Sequence, residues 1–331
     1  MDNSHHLHLN LFNGQLIPRI GLGTWQCTPD EVKEAVNDAL EAGYRHIDTA
    51  YLYQNEAAIG EVIQEWINSG KLKREELFIT TKLPFTGNKP EKVEHFLKLS
   101  LENLKLDYVD LYLIHFPIGF RGEDDHDLFP RDENGRLILD FDSNMITLWK
   151  AMETQVEAGR AKAIGLSNFN SHQIERIVQT SRIKPANLQV EMHAYFQQKR
   201  LRAYCKKHDI VVCAYGPLGS KGRVDFSARF GVPKPQVPDV LDDPVVAEIA
   251  NAHMKTSAQV LLRHLIQLNV VVIPKSVSQS RIRENYEVFD FVLTANEMEK
   301  LSQLDKNNRT FIFDEYDGVP DHPEYPFIIP Y

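Results

Sequence analysis

The chain has 331 residues, a formal net charge of −9 and apolar side chains at 43% of its positions, enough to bury a substantial core. This acidic balance argues against general binding to nucleic acid or to an acidic membrane surface, and leaves room only for a local basic pocket such as one for a phosphate. Three cysteines without a CxxC pair support neither a disulfide framework nor a structural zinc site, and no window approaches the roughly 18 apolar residues of a membrane span, so the sequence reads as that of a reduced, cytoplasmic protein.

An N-terminal hairpin is expected where "LHLNL" and "QLIPRI" are joined through "FNG". His5, His6 and His8 around it read as a polar terminus rather than as metal ligands. After "GLGTW" near residue 21, short apolar runs alternate with helical patterns. Strands are predicted at 46–48, 77–82, 109–115, 161–167, 187–192, 210–215 and 269–275, with helices at about 30–42, 56–69, 90–104, 144–158, 170–180, 197–207, 244–265 and 281–288. Asn55 is a plausible N-cap for the second of these helices.

With "GLGTW" as the first strand, the alternation gives eight β/α units, the count for a closed parallel (β/α)8 TIM barrel carrying an N-terminal hairpin. A doubly wound open sheet is the alternative, but "GLGTWQ" lacks the third glycine of a GxGxxG dinucleotide turn. No repeat, low-complexity tract or linker divides the chain, so residues 1–331 are expected to form one domain. Two segments, 116–143 and 216–243, exceed ordinary barrel loops, and the tail from about 306 to 331 is rich in aromatic residues and proline.

In such a barrel the carboxyl ends of the strands converge on one face, which gathers Asp48, Tyr53, Lys82, His115, Ser167, Asn168, Gln189, Glu191, Tyr215 and Lys275. A lysine and a histidine closing otherwise apolar strands are costly to bury without partners. A nearby ammonium favours the phenolate and lowers a tyrosine pKa, while a carboxylate holds that ammonium charged. Tyr53 is thereby a candidate general acid, Lys82 and Asp48 its support, and a neutral His115 a hydrogen-bond donor to the same substrate oxygen. Nothing marks an activated Ser or Cys nucleophile or a metal site. Proton donation without either suits carbonyl reduction, with hydride coming from elsewhere. Lys275, Ser276 and Arg281 straddle the start of a helix, an arrangement that suits a phosphate.

These stretches carry a resemblance. "GLGTW", "GYRHIDTAYLYQNEAAIG", "TTKL", "LKLDYVDLYLIHFP", "AIGLSNFN", "AYGPLGS" and "VVVIPKSVSQSRIREN" resemble the aldo-keto reductases, close to the aldose reductase and aldehyde reductase group, over almost the whole chain. The resemblance implies a monomeric barrel that binds NADPH in extended form, with Asp48, Tyr53, Lys82 and His115 as the catalytic tetrad and Tyr53 as proton donor. It also implies cofactor contacts from Thr24 and Trp25. Ser167, Asn168 and Gln189 would hold the nicotinamide amide, and Tyr215 would stack on its ring. Pro217, Leu218, Gly219 and Ser220 match part of a loop over the pyrophosphate. Lys275, Ser276, Val277, Ser278 and Arg281 match a pocket for the 2′-phosphate, and Glu284 and Asn285 match adenine contacts.

The substrate pocket implied by the same resemblance comprises Trp25, Tyr53, His115, Phe116 and Phe129. Phe116 stands where many relatives have Trp, Pro84 replaces a common aromatic, and Gln26 occupies a position that is often Lys in the cofactor clamp. The substrate is expected to be a small carbonyl compound: a hydrophobic aldehyde, a sugar or a steroid ketone of ecdysteroid type. The long loops and the tail are expected to govern that choice. Two competitors remain: an NADPH-binding regulatory subunit of the same fold, and a hydrolase using Asp48 with Glu191 as its carboxylate pair.

Overall fold

The computed structural model describes residues 7–224, 237–314, 316, 318–329 and 331. His5, His6 and the middle of the long loop, 225–236, lie outside the described residues.

The hairpin pairs β1 (His8–Asn10) antiparallel with β2 (Leu16–Pro18). Eight parallel strands follow in one sheet: β3 (Leu22–Gly23), β4 (His46–Asp48), β5 (Phe78–Leu83), β6 (Val109–Ile114), β9 (Ala161–Ser167), β10 (Asn187–Glu191), β11 (Val211–Tyr215) and β12 (Val271–Val272). Each lies beside its predecessor in the chain, as right-handed βαβ crossovers produce. Parallel bridges from Ile20 to Val272 and from Gly23 to Lys275 join the two edges, so the sheet closes into the expected barrel. Gly23 is required there, because a Cβ would lie 2.7 Å from the Ile273 carbonyl oxygen.

The strand residues are almost all buried on both faces, since the barrel interior is packed on one side and helices cover the other. Leu111, Leu113, Ala163, Cys213 and Val271 fill the lumen, and Leu11 and Ile17 of the hairpin pack beneath them at the base. The outer layer is amphipathic helix. In α1 (Pro29–Ala42), Thr28 and Glu31 form a capping box, Pro29 fixes the first turn and Gly43 ends the helix in the left-handed conformation. Its Val32, Ala35, Val36, Ala39 and Leu40 form the buried stripe.

The further helices whose bounds lie within the described residues are α2 (Glu56–Asn68), α3 (Pro90–Leu104), α4 (Met145–Glu157), α5 (Ser171–Val178), α6 (Lys199–Lys207), α7 (Pro244–His253), α8 (Ser257–Gln267), α9 (Gln279–Tyr286) and α10 (Ala295–Ser302). The single helix expected over 244–265 is two. Met254 takes a left-handed φ of 53°, and Thr256 with Gln259 caps a new helix two residues later. Helix α9 begins two residues earlier than its apolar pattern indicates, so Arg281 is its third residue instead of its first, still within the first turn. Helix α10 had no counterpart among the predicted elements. The loop 116–143 carries a two-stranded ribbon, β7 (Gly119–Phe120) with β8 (Leu139–Asp140), too short to leave a period in the sequence. Among the described residues no helix is long and apolar enough to cross a membrane.

Candidate active site

Strand β4 ends at Asp48, and a short 3-10 turn, Tyr51–Tyr53, carries the tyrosine back over the mouth of the barrel. Strand β5 delivers Lys82, which is fully buried, and His115 follows β6. Lys82 Nζ donates to Asp48 Oδ1 at 2.5 Å, to the Thr49 carbonyl at 2.9 Å and to Tyr53 Oη at 3.3 Å. All three ammonium protons are thus directed, and the third points at the phenol. The His115 ring meets the Tyr53 ring edge-on with centroids 5.7 Å apart. The sequence-predicted tetrad is one cluster.

Burial disfavours the Lys82 charge, but Asp48 and Tyr53 more than offset it and hold the ammonium above its usual range. For Asp48 burial prevails and raises its pKa, with Lys82 and a 2.6 Å bond from Gln189 Nε2 opposing. The short ion pair and that second donor place the charge on the carboxylate and the ammonium together. Burial also prevails at Tyr53: Lys82 pulls its pKa down as expected, yet the net direction is up. The expected acidified phenol is therefore corrected to a phenol held protonated. Burial and the Lys82 charge push the His115 pKa well below the usual histidine range, so its imidazole is neutral.

Around this cluster the sequence-predicted residues fall into three groups. Asn168, with a left-handed φ of 63°, donates to the His115 carbonyl at 3.0 Å and to Ser167 Oγ at 3.2 Å, and accepts from Tyr215 Oη at 2.7 Å. Gln189 adjoins them but spends its amide N–H on Asp48. Thr24 donates to the Asp48 carbonyl at 2.9 Å. Residues 216–219 form a turn closed by the Gly219 N–H to the Gly216 carbonyl at 3.0 Å. Pro217 is buried and Leu218 half-buried within it, and Ser220 follows with a left-handed φ.

The second group lies at α9. Ser278 is its N-cap but gives no side-chain cap, so the first amides of the helix keep no side-chain acceptor there. Lys275, Val277 and Arg281 are exposed beside it, Ser276 is buried, and the bridge from Lys275 to Gly23 ties this end to the barrel rim. Asn285 is buried, and Glu284 accepts from the Thr256 hydroxyl at 2.8 Å.

The third group is aromatic. Phe116 stacks tilted on Phe313 with centroids 4.5 Å apart, and Phe129 meets Phe85 at 6.0 Å and Phe120 at 6.2 Å. Pro84 introduces the turn that brings Phe85 to within 5.3 Å of the His115 ring, so the aromatic wall that Pro84 itself lacks is supplied by its neighbour.

The profile of the Aldo/keto reductase family matches residues 19–306. The chain belongs to the aldo-keto reductase family. It is 48% identical over 328 residues to aldo-keto reductase family 1 member A1 of Gallus gallus, covering 97% of each chain. It is 44% identical over 329 residues to dihydrodiol dehydrogenase 3 of Bos taurus, covering 98% of each. The solved aldose reductase of Schistosoma japonicum superposes with a TM-score of 0.89 at 46% identity, over 98% of this chain and 99% of that one. As an aldo-keto reductase, the protein is an oxidoreductase that reduces carbonyl groups of small molecules, in a family that draws its electrons from a nicotinamide cofactor.

Several residues that build the aldo-keto reductase site escaped the sequence reading. Asn55 occupies the N-cap position of α2 but makes no cap bond. Its amide instead donates to the Thr24 and Cys27 carbonyls at 2.9 and 3.3 Å and accepts from the Thr49 hydroxyl at 3.1 Å. It fastens the Thr24 loop to the loop whose Thr49 carbonyl holds Lys82. Phe311 lies between Trp25, at 5.6 Å, and Tyr215, at 5.2 Å, with the Arg223 guanidinium 4.5 Å from its ring centre. Glu191, weighed as half of a hydrolytic pair, is committed to the backbone of Thr310 and Phe311 and to His193. Asp48 is committed to Lys82 and Gln189, so neither carboxylate is free for hydrolysis.

Proposed function

We propose that this aldo-keto reductase reduces aldehydes or ketones to alcohols with NADPH, and that Tyr53 gives the proton. The observation that carries the reading is the triple commitment of the buried Lys82 ammonium to Asp48, Thr49 and Tyr53. A phenol that keeps its proton through the neutral range and touches a fixed positive charge can release that proton as negative charge grows on a carbonyl oxygen. The ammonium then stabilises the phenolate left behind. His115, neutral and adjacent, can donate a second hydrogen bond to the same oxygen and orient it.

The residues fit an extended dinucleotide. Asn168 and Ser167 offer amide and hydroxyl groups beside the tetrad, and Tyr215 offers a ring whose hydroxyl is fixed to Asn168. The uncapped start of α9, with Lys275 and Arg281 beside it, offers unsatisfied backbone donors and two positive charges to a 2′-phosphate. NADPH would supply the hydride to the carbonyl carbon. Gln26 Oε1 lies 3.4 Å from where a Cβ of Gly222 would stand, and its buried Nε2 has no partner among the described residues, which suits a donor to a bound phosphate.

Phe85, Phe116, Phe129 and Phe313 favour an apolar or aromatic carbonyl over a bare sugar. We read the chain as one catalytic domain, monomeric and cytoplasmic, with the intact tetrad favouring an enzyme over a regulatory subunit.

Tyr53→Phe tests the reading. Reduction of an aromatic aldehyde should fall by about 10²–10⁴-fold while NADPH affinity, read by fluorescence quenching, stays unchanged. Loss of NADPH binding would make Tyr53 architectural. The acid must be protonated, so the wild-type rate should hold across the neutral range and fall only at alkaline pH.

A further inference from the structure

A cavity of about 840 Å³ opens at the end of the barrel opposite the tetrad. It lies between the hairpin, α6 and the start of β11, whose other end carries Tyr215. Four intervening strand steps separate the two ends by about 13 Å. Its floor is apolar, formed by Leu9, Leu11, Ile210, Val212, Leu268 and Val270, and Phe12 stands exposed at its edge. Its rim is cationic: Lys184, Lys199, Arg202 and Lys206 line it with Asp209, and Asp305 stands just outside, near Lys199 and Arg202. In a chain of net charge −9 this local excess runs against the average.

The four cations are not equivalent. Lys184 is held by Asp209 at 3.2 Å and by the His208 carbonyl at 3.0 Å, and Lys199 by the Ser302 carbonyl at 2.9 Å with Asp305 at 3.9 Å. Arg202 spends its Nε on the Gln197 carbonyl at 2.9 Å, and although Asp305 acts on the guanidinium from farther off, no carboxylate lies within ion-pair distance of its Nη groups among the described residues. Lys206 has no ion-pair partner among them either. A lysine in the last turn of α6 is partly accounted for by the helix dipole, but a half-buried guanidinium with its fork unspent is not. The positive field reaches the protein wall: His264 of α8, 1% exposed and with both ring nitrogens unpartnered among the described residues, is pushed to a pKa of about 3 by burial and then by Arg202 and Lys199.

We propose that this cleft binds an amphipathic acid, its single anionic head held by Arg202 and Lys206 and its apolar chain laid over the more accessible Leu9, Phe12, Val211 and Leu268 of the lining. The volume is that of a small-molecule site, and the pairing of an apolar floor with a few convergent cations is the lining such a ligand needs. The guanidinium fork takes a carboxylate or a phosphate monoester through two parallel bonds.

Calorimetric titration of the full chain with sodium dodecanoate, dodecyl phosphate, dodecanol and acetate tests this. Both amphipathic acids should bind, the tighter naming the head group, and dodecanol and acetate should bind at least tenfold more weakly. Arg202→Met with Lys206→Met, which keeps the apolar stems, should weaken the acids at least tenfold and leave carbonyl turnover unchanged. Lys206→Glu, at an exposed helix end, should weaken them without disturbing the fold. Dodecanol binding as tightly as dodecanoate would overturn the proposal. So would unchanged acid affinity in the double variant, as expected of an acid lodged in the catalytic cleft.

Discussion

Both carboxylate oxygens of Glu191 accept from the Thr310 N–H at 2.9 Å. Glu191 is the last residue of β10, so this contact joins the rigid barrel rim to the segment that crosses its mouth. The Phe311 N–H adds a bond at 2.9 Å and His193 another at 3.1 Å. Burial works against the charge, yet His193, Phe311 and Arg309 outweigh it and keep the carboxyl below its usual range. The consequence is the position of Phe311, wedged between Trp25 and Tyr215 where the proposed cofactor and substrate meet.

Glu191→Ala leaves two backbone N–H groups and an imidazole without their acceptor. It should cost about 2–4 kcal/mol of stability, with Glu191→Gln costing less because it keeps one oxygen. Urea unfolding reads this directly, and a wild-type midpoint in the alanine variant would show that the tail is held by other contacts.

The contrast between this carboxylate and the tetrad explains what the sequence could reveal. Asp48, Lys82 and His115 end or follow apolar runs, so the strand period alone places them on one face, and Tyr53 follows within the next loop. Glu191 also ends a strand, but its partners are backbone amides more than a hundred residues away, which no side-chain pattern announces. Asn55 satisfies the N-cap signature and then does something else, because a buried amide gains more by joining two loops than by capping one exposed amide. The split at Met254 was hidden for a different reason. Apolar residues keep their period through α7 and α8, and only the left-handed backbone at an unremarkable methionine interrupts them. The direction of the Tyr53 shift depended on how completely the fold desolvates the phenol, a quantity set by packing that residue spacing does not carry.

Lys82→Met removes one partner of a buried ion pair and leaves Asp48 uncompensated. It should destabilise by roughly 3–5 kcal/mol and abolish reduction. Adding Asp48→Asn should recover much of the stability and none of the activity. Calorimetry with a single-turnover assay separates the two effects. A double variant as unstable as Lys82→Met would mean that the lysine acts mainly through its packing or through the Thr49 carbonyl.

Arg281 stands in the first turn of α9, beside the uncapped amides. If the 2′-phosphate lies there, Arg281→Ala should weaken NADPH by at least tenfold, the scale of a lost charged hydrogen bond of about 1.5–3 kcal/mol. NADH, which has no such phosphate, should be almost unaffected. Equal weakening of both would remove the phosphate from this helix end.

Two buried histidines should make the fold sensitive to acid. Burial, with Lys82 adding to it, lowers His46 to about 3, and burial with Arg202 and Lys199 does the same to His264. In the unfolded chain each titrates near 6.5, so between about pH 6.5 and pH 3 the unfolded state binds more protons. The stability of keeping both neutral is fully present above that range and is lost as pH falls through it, by up to about 1.4 kcal/mol per pH unit for each histidine. Other groups titrate in the same window, so the comparison that isolates one of them is His264→Leu, which removes an imidazole with no hydrogen-bond partner among the described residues. Its unfolding free energy, measured in urea at pH 7 and pH 5, should decline less steeply than that of the wild type. An identical decline would mean that His264 titrates in the folded protein as it does in the unfolded chain, and that its burial does not hold it neutral.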